Sequence, residues 1–399
     1  LIGLTAGSVV LFGEGDRGPT LQPEERDVEH RVSRNLSDRW LSNPLPLSVG
    51  REFDRLALAG EVVAIADLLG DGRVQMKDGA RDEGLASALH AGMVFDGQPL
   101  GVIRLYGHEV RTFGPAETRV LRTIAHQASV AIGQARLLRM QQAERRHQRQ
   151  LRLAGDVQRR MLPGAAPRSA MFDIAAHWEP SLELSGDFYD FVELDRASRE
   201  AGARQIGVVV GDVVGKGVAA ALLMSHVRAS LLAHVSQDPS PSAVLARVND
   251  DLCRDSLPNE FVTLWYGVAD PRTRELVYAS AGHDPPIMVC GATGEAAELP
   301  TSGMLAGVLP GQSFPEGRRR LEAGDTLVVF TDGLSDARNF DGQRYGRGRL
   351  TEAVTRFLAG NPGATARELV HEALWSIRRF AGLAEMPDDQ TVVALRVKH

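Results

Sequence analysis

Apolar and polar residues follow two rhythms along the chain. In the first third, short apolar runs stand between turn residues: Ser8–Phe12, Glu61–Asp67, Ala91–Phe95 and Leu100–Tyr106. Such runs predict strands, and Asp96-Gly97 between the last two predicts a tight hairpin. Phe113-Gly114-Pro115 opens a helix, because proline at the first helical position gives up only an N–H that has no intrahelical partner. Leu121, Ile124, Ala125, Ala128, Ala131, Ile132 and Ala135 follow at helical spacing. No proline intervenes before Pro163, so the helix is expected to continue to Met161. One heptad register places Leu137, Met140, Glu144, His147, Leu151, Ala154, Gln158 and Met161 on a seam that is polar in its middle. A coiled coil and a solvated connecting helix both fit that pattern.

After Pro163-Gly164 the runs lengthen. Ile206–Val210, Phe261–Val268, Glu275–Ser280, Ile287–Cys290, Thr326–Phe330 and Thr391–Val397 predict strands. Ala219–Ala233, Ser242–Leu252, Leu350–Phe357 and Ala364–Phe380 predict helices. The expected organisation is an α+β domain over 1–138, a connecting helix over 139–164 and a larger α+β domain over 165–399.

Composition narrows the classes. With 45 Lys+Arg against 51 Asp+Glu the net charge is −6, which argues against a nucleic-acid coat. The arginines between Arg136 and Arg160 read as a wet helix face rather than a lipid or nucleic-acid surface. The two cysteines, Cys253 and Cys290, support neither a disulfide framework nor a four-cysteine zinc site, which fits a reducing cytoplasm. The longest apolar run, Val218–Val235, is broken by Ser225, His226 and Arg228, so no membrane span is expected. No signal-peptide pattern opens the chain, and a start at Leu1 reads as a piece of a longer protein.

Aspartates punctuate the larger domain at telling places. Ser185-Gly186-Asp187-Phe188-Tyr189-Asp190 reads as an acidic turn. Asp212 and Asp332 each end a buried-type strand, and Asp388-Asp389 precedes one. A carboxylate beside an apolar strand is costly unless paired or metal-bound. If the last strand runs antiparallel to the other two, all three carboxylates meet at one edge. Oxygen donors without nearby Cys or His suit Mg²⁺ or Mn²⁺ rather than zinc. Two such ions sharing a bridging water would activate it and clamp a phosphoryl group for in-line attack. Gly211–Gly217 fails as a phosphate-binding Walker loop, since Val210 and Gly217 stand where that loop needs Gly and Ser or Thr.

These motifs, in order, resemble the bacterial type-2C (PPM) serine/threonine phosphatases of the SpoIIE/RsbU kind. They are Ser185–Asp190, Gly211–Gly217 with Ala219–Met224, Ala281-Gly282-His283, Thr331-Asp332-Gly333 and Asp388–Thr391. Asp156-Val157-Gln158 and Met161-Leu162-Pro163 match that family's entry helix. The resemblance implies a β-sandwich flanked by helices. It also implies that Asp212 bridges two metal ions and that the Val213 carbonyl holds one of them. Asp332 and Asp388 would complete the other site, and Asp187 would act through metal-bound water. The family position is the first aspartate of the pair, which leaves Asp389 outside the ligand set. Ser185, Lys216 and Asp336 stand where Gly, His and Glu are commoner, and none of these changes removes a ligand. His283 would touch substrate or fix a loop.

Residues 1–138 resemble a GAF domain, through Ala64–Asp67 with Asp71, Gly84–Leu89, Leu100–Leu105, Phe113 and Ile124–Ala128. That implies an antiparallel sheet with helices, and a sensory or dimerising module with room for a small ligand. The region has no cysteine, so a thioether-linked bilin is excluded. Together the resemblances imply a GAF-regulated, homodimeric cytoplasmic phosphatase. It would act on phosphoserine or phosphothreonine of a STAS-domain anti-anti-sigma factor, with two Mg²⁺ or Mn²⁺ ions and no nucleic-acid or membrane partner. The rival expectations are a catalytically silent scaffold and a hydrolase of small phosphate esters.

Overall fold

The computed structural model describes residues 3–12, 28–42, 52–194, 204–257, 259–300 and 302–398. It forms two compact units, Leu1–Arg146 and His147–His399.

The first unit holds β1 (Ala6–Phe12), β2 (Val28–Arg34), α1 (Asp38–Ser42), α2 (Glu52–Leu58), β3 (Val62–Ile65), α3 (Lys77–Asp82), β4 (Ser87–Phe95), β5 (Gln98–Gly107) and the start of α4 (Pro115–Met161). The strands pair antiparallel in the order β2-β1-β5-β4-β3. Asp96 and Gly97 carry φ of 50° and 73°, the twisted hairpin turn that the dipeptide predicts. Alternate residues of each strand serve opposite faces. Leu89, Met93 and Ile103 pack on Leu121 and Ala125 of α4, while Ala88, Val102 and Tyr106 join Phe53 and Ala57 of α2. The helix expected to continue past Leu137 does so without a break to Met161.

The second unit holds β6 (Phe172–Glu179), β7 (Phe188–Glu193), β8 (Ile206–Val213), α5 (Val218–Val235), α6 (Pro241–Asp255), β9 (Val262–Asp270), β10 (Glu275–Ala281), β11 (Ile287–Val289), β12 (Ala296–Glu298), β13 (Gly317–Arg320), β14 (Thr326–Phe330), α7 (Asp332–Ser335), α8 (Gly346–Gly360), α9 (Ala366–Ala381) and β15 (Gln390–Val397). One sheet runs β13-β10-β9-β8-β7 and the other β12-β11-β14-β15-β6, both antiparallel throughout. The sheets face each other through Val208, Val210, Trp265, Leu327, Val329, Val393 and Leu395. Their outer faces carry helices. Val209 and Leu264 meet α5 and α6, while Val328, Phe330 and Val392 meet α8 and α9. This four-layer arrangement explains the unbroken apolar runs, since a strand covered on both faces needs no polar alternation.

The six strands expected from the sequence are the inner strands of the two sheets. The edge strands β6, β7, β12 and β13 lack that signature, and the Ser185–Asp190 turn runs straight into one of them, β7. Among the described residues α5 alone is long and apolar enough to cross a membrane, and Ala220, Met224, Val227 and Leu231 bury its inner face in the core.

Helix α9 lies against β15, which leads out of the Asp388-Asp389 pair. It begins with a capping box: the Glu368 N–H donates to Thr365 Oγ1 at 3.2 Å, and Glu368 Oε2 accepts from the Thr365 N–H at 2.8 Å. Thr365→Ala is expected to cost about 1 kcal/mol in urea unfolding, with an unchanged slope against urea concentration.

Candidate active site

The aspartates singled out in the sequence gather at one rim of the sandwich, drawn from both sheets. Asp187 ends the loop before β7, and Asp212 is the penultimate residue of β8. Asp332 opens α7 after β14, and Asp388 stands two residues ahead of β15. The last strand is antiparallel to β14 within one sheet, while β8 belongs to the facing sheet. The carboxylates therefore meet across the sandwich rather than along a single sheet.

Their electrostatics are those of crowded like charges. Burial, and then the Asp212 charge, holds the Asp187 carboxyl well above its usual range. Burial and the charge of Asp332 push Asp212 up to about 7, and Asp187 lies within hydrogen-bond reach of it. Asp332 is raised by burial and by Asp388, with Asp336 and Asp284 adding to the effect. Two carboxyl groups in hydrogen-bond contact cannot both stay ionised without a shared proton or a cation between them. Among the described residues Lys216 is in direct contact, its Nζ 2.9 Å from Asp388 Oδ1.

Neighbouring groups fix the rim in place. Asp187 Oδ2 accepts hydrogen bonds from Thr331 Oγ1 at 2.6 Å and Thr391 Oγ1 at 2.8 Å. Asp389 is buried and fully engaged. Its Oδ1 accepts from the Ser181 N–H and hydroxyl at 2.7 and 2.9 Å, and its Oδ2 from the Ser185 hydroxyl and the Gly186 N–H at 2.7 and 2.9 Å. Asp388 instead faces out towards Lys216, so adjacent aspartates do different work: one braces the loop and the other lines the rim. Gln158 of α4 is buried and clasps the same loop, donating from Nε2 to the Ser185 carbonyl at 2.7 Å and accepting from the Ser185 N–H at 3.1 Å.

Two glycines permit the close approach. A Cβ on Gly186 would stand 2.7 Å from the Val213 carbonyl oxygen, so only glycine lets this loop lie against it. A Cβ on Gly333 would stand 1.8 Å from the Asp389 carbonyl oxygen. His283 is buried with its Nδ1 2.8 Å from Thr263 Oγ1, and burial pushes it down to about 4. Thr331, Thr391, Gln158 and the bracing role of Asp389 were not assigned from the sequence. The first two belong to the motifs of Asp332 and Asp388, yet they donate to Asp187, a partner far along the chain.

The donor set suits hard divalent ions: oxygen ligands and excess negative charge, with the main-chain carbonyl of Val213 next to Asp212 in the chain. Among the described residues no group of three His, Cys, Asp or Glu side chains is arranged to hold a metal ion as it stands.

The first unit holds a separate cavity of about 130 Å³, lined by Trp40, Phe53, His90 and Tyr106 among others. Within it Arg104 reaches Asp54 at 3.2 Å, both largely buried. Burial pushes His90 down to about 3, which keeps it neutral, and its Nε2 has no hydrogen-bond partner.

Comparisons with known proteins follow the same division. Residues 202–398 match the family model of Stage II sporulation protein E (SpoIIE), and residues 2–133 match that of the GAF domain. Phosphoserine phosphatase RsbU of Bacillus subtilis is 27% identical over 249 residues, spanning 62% of this chain and 70% of that protein. Protein IcfG of Synechocystis is 31% identical over 227 residues, spanning 50% of this chain but only 34% of the relative. Among solved structures, the SiaA PP2C domain of Pseudomonas aeruginosa matches with a TM-score of 0.54 at 23% identity, covering 64% of this chain and 98% of that one; this is a likeness of fold.

The raised carboxyls set a pH dependence. Asp212 keeps its proton in the fold up to about pH 7, whereas an unfolded chain releases it near 3.8. The stability linked to that proton is complete below about 3.8 and is lost as the pH rises through about 7. In EDTA the melting temperature is expected to fall between pH 4.5 and 7.5, and Asp212→Asn should flatten that fall. An identical slope in the variant would place the responsible proton elsewhere.

Proposed function

For a chain that carries a GAF domain followed by a SpoIIE/PP2C-type phosphatase domain and is homologous to RsbU, we propose a metal-dependent serine/threonine phosphoprotein phosphatase of bacterial signalling. The observation that carries this reading is the rim of mutually repelling aspartates, Asp187, Asp212, Asp332 and Asp388, beside the Val213 carbonyl. These five residues would hold two Mg²⁺ or Mn²⁺ ions. When bound, such ions polarise a phosphoryl group and make water a nucleophile at neutral pH.

The protein's own part is positioning. Thr331 and Thr391 hold one oxygen of Asp187 and so fix the carboxylate's direction. Asp389 ties the Ser181–Gly186 loop to the start of β15. Asp332 is exposed and Asp388 partly so, which leaves the rim open to a phosphoserine carried on a folded protein. Water cleaves the phosphoester to an alcohol and inorganic phosphate, with no covalent protein intermediate. The substrate we favour is a phosphorylated STAS-domain anti-anti-sigma factor, met in the cytoplasm.

Regulation by the GAF unit is part of the same reading. Its cavity, mostly apolar with a buried Arg104–Asp54 pair, suits a small ligand. Gln158 gives α4 a direct hold on the loop that carries Asp187, so a shift of the helix would disturb the rim. The exposed Leu137, Leu138 and Met140 on α4 favour a helix-paired homodimer.

Phosphate release from a phosphoserine STAS-domain protein tests the assignment. Release is expected to depend on Mn²⁺ or Mg²⁺ and to fall by about 10³-fold in Asp212→Asn and Asp332→Asn, with folding intact by circular dichroism. Full turnover in both variants would sink the ligand assignment. Gln158→Ala is expected to lower turnover about 10–100-fold while each unit still melts cooperatively.

A further inference from the structure

Phosphoryl transfer requires positive charge on the transferred group beyond what water supplies, and the rim is short of cations. Two arginines beside it are already committed. Arg344 is paired with Asp336. Arg347 bonds Asp284 at 3.2 Å and the Pro285 carbonyl, and lies over the Phe330 ring.

Lys216 is placed differently. It stands between Gly215 and Gly217, with φ of 91° and 77°, and a Cβ at either glycine would meet nothing within 4 Å. The two glycines thus give the turn left-handed backbone and leave open space on their own Cβ side. The side chain is 39% exposed, and its Nζ contacts Asp388 Oδ1 at 2.9 Å and the Pro387 carbonyl. An ammonium has three N–H donors, and these contacts use two. Asp388 is also a proposed metal ligand, so its negative charge is shared once divalent ions are bound, and its hold on Lys216 weakens.

We propose that Lys216 is the substrate-phosphate clamp of this site, turning from Asp388 to an oxygen of the phosphoryl group. The proposal rests on the phosphatase reading above. It gives the Gly215-Lys216-Gly217 turn a task other than phosphate cradling by backbone N–H groups. The competing role is a strut, in which Lys216 only ties the β8–α5 turn to the residues before β15.

The test uses the full chain, as wild type, Lys216→Met and Lys216→Arg. Calorimetry measures Mn²⁺ binding and then inorganic phosphate binding to the Mn²⁺-loaded protein, and initial rates on the phosphoprotein give KM and kcat. Lys216→Met is expected to weaken phosphate binding and raise KM about tenfold, with Mn²⁺ stoichiometry and melting temperature unchanged. Lys216→Arg should recover most of the phosphate affinity. Unchanged phosphate binding with a lowered melting temperature would establish the strut and overturn the clamp, as would loss of a Mn²⁺ equivalent in Lys216→Met. Wild type that binds phosphate through Lys216 but hydrolyses no phosphoprotein would keep the clamp and defeat the phosphatase reading. Wild type that binds no phosphate would defeat the clamp, whether or not turnover is seen.

Discussion

Repulsion among carboxylates at the sandwich rim is the constraint on which the second unit depends. Asp187 is buried within hydrogen-bond reach of the half-buried Asp212, with Asp332 and Asp388 close enough to act on Asp212. A fold gains nothing from such crowding, and hydrophobic burial elsewhere must offset it. The offset comes from three stacked apolar layers, one between the sheets and one beneath each pair of helices. Around the rim, hydroxyls and main-chain N–H groups hold Asp187 and Asp389 in place, and Lys216 contacts Asp388. The site is thus a strained region kept by a robust scaffold, the usual arrangement where charge must be poised for a ligand.

The parts of this unit legible in the sequence share one physical trait. Inner strands such as Val208–Val210 and Val328–Phe330 are covered on both faces and show as continuous apolar runs. Edge strands have one ladder side free and carry charge, as Asp173, His177 and Glu179 do in β6 and Arg318–Arg320 in β13. Such segments look like loops, because charge at an edge discourages pairing with other chains. In the first unit β2 is likewise a polar edge strand. The rim aspartates stood out for the opposite reason, since each interrupts or adjoins an apolar segment.

What the sequence concealed was division of labour. Asp388 and Asp389 are chemically identical neighbours, yet one faces Lys216 and the other accepts four hydrogen bonds in the interior. Residue type alone does not separate them; the resemblance set the first apart, and the chain's direction as it enters β15 supplies the physical reason. Gln158 was hidden in the same way. It stood on the heptad seam and in the entry-helix motif with no task of its own, and its amide bonds Ser185. A polar residue on an apolar seam is better read as a tether whose partner lies far along the chain.

The fit of Gly333 against the Asp389 carbonyl has a consequence for how far such a sequence can drift. The rim is set by main chain meeting main chain, through Gly186 on Val213 and Gly333 on Asp389, and by short hydroxyl side chains. Core volume can be redistributed among Val, Ile and Leu without moving those contacts. A chain built this way can exchange most of its interior over evolutionary time, provided a handful of small residues stay small.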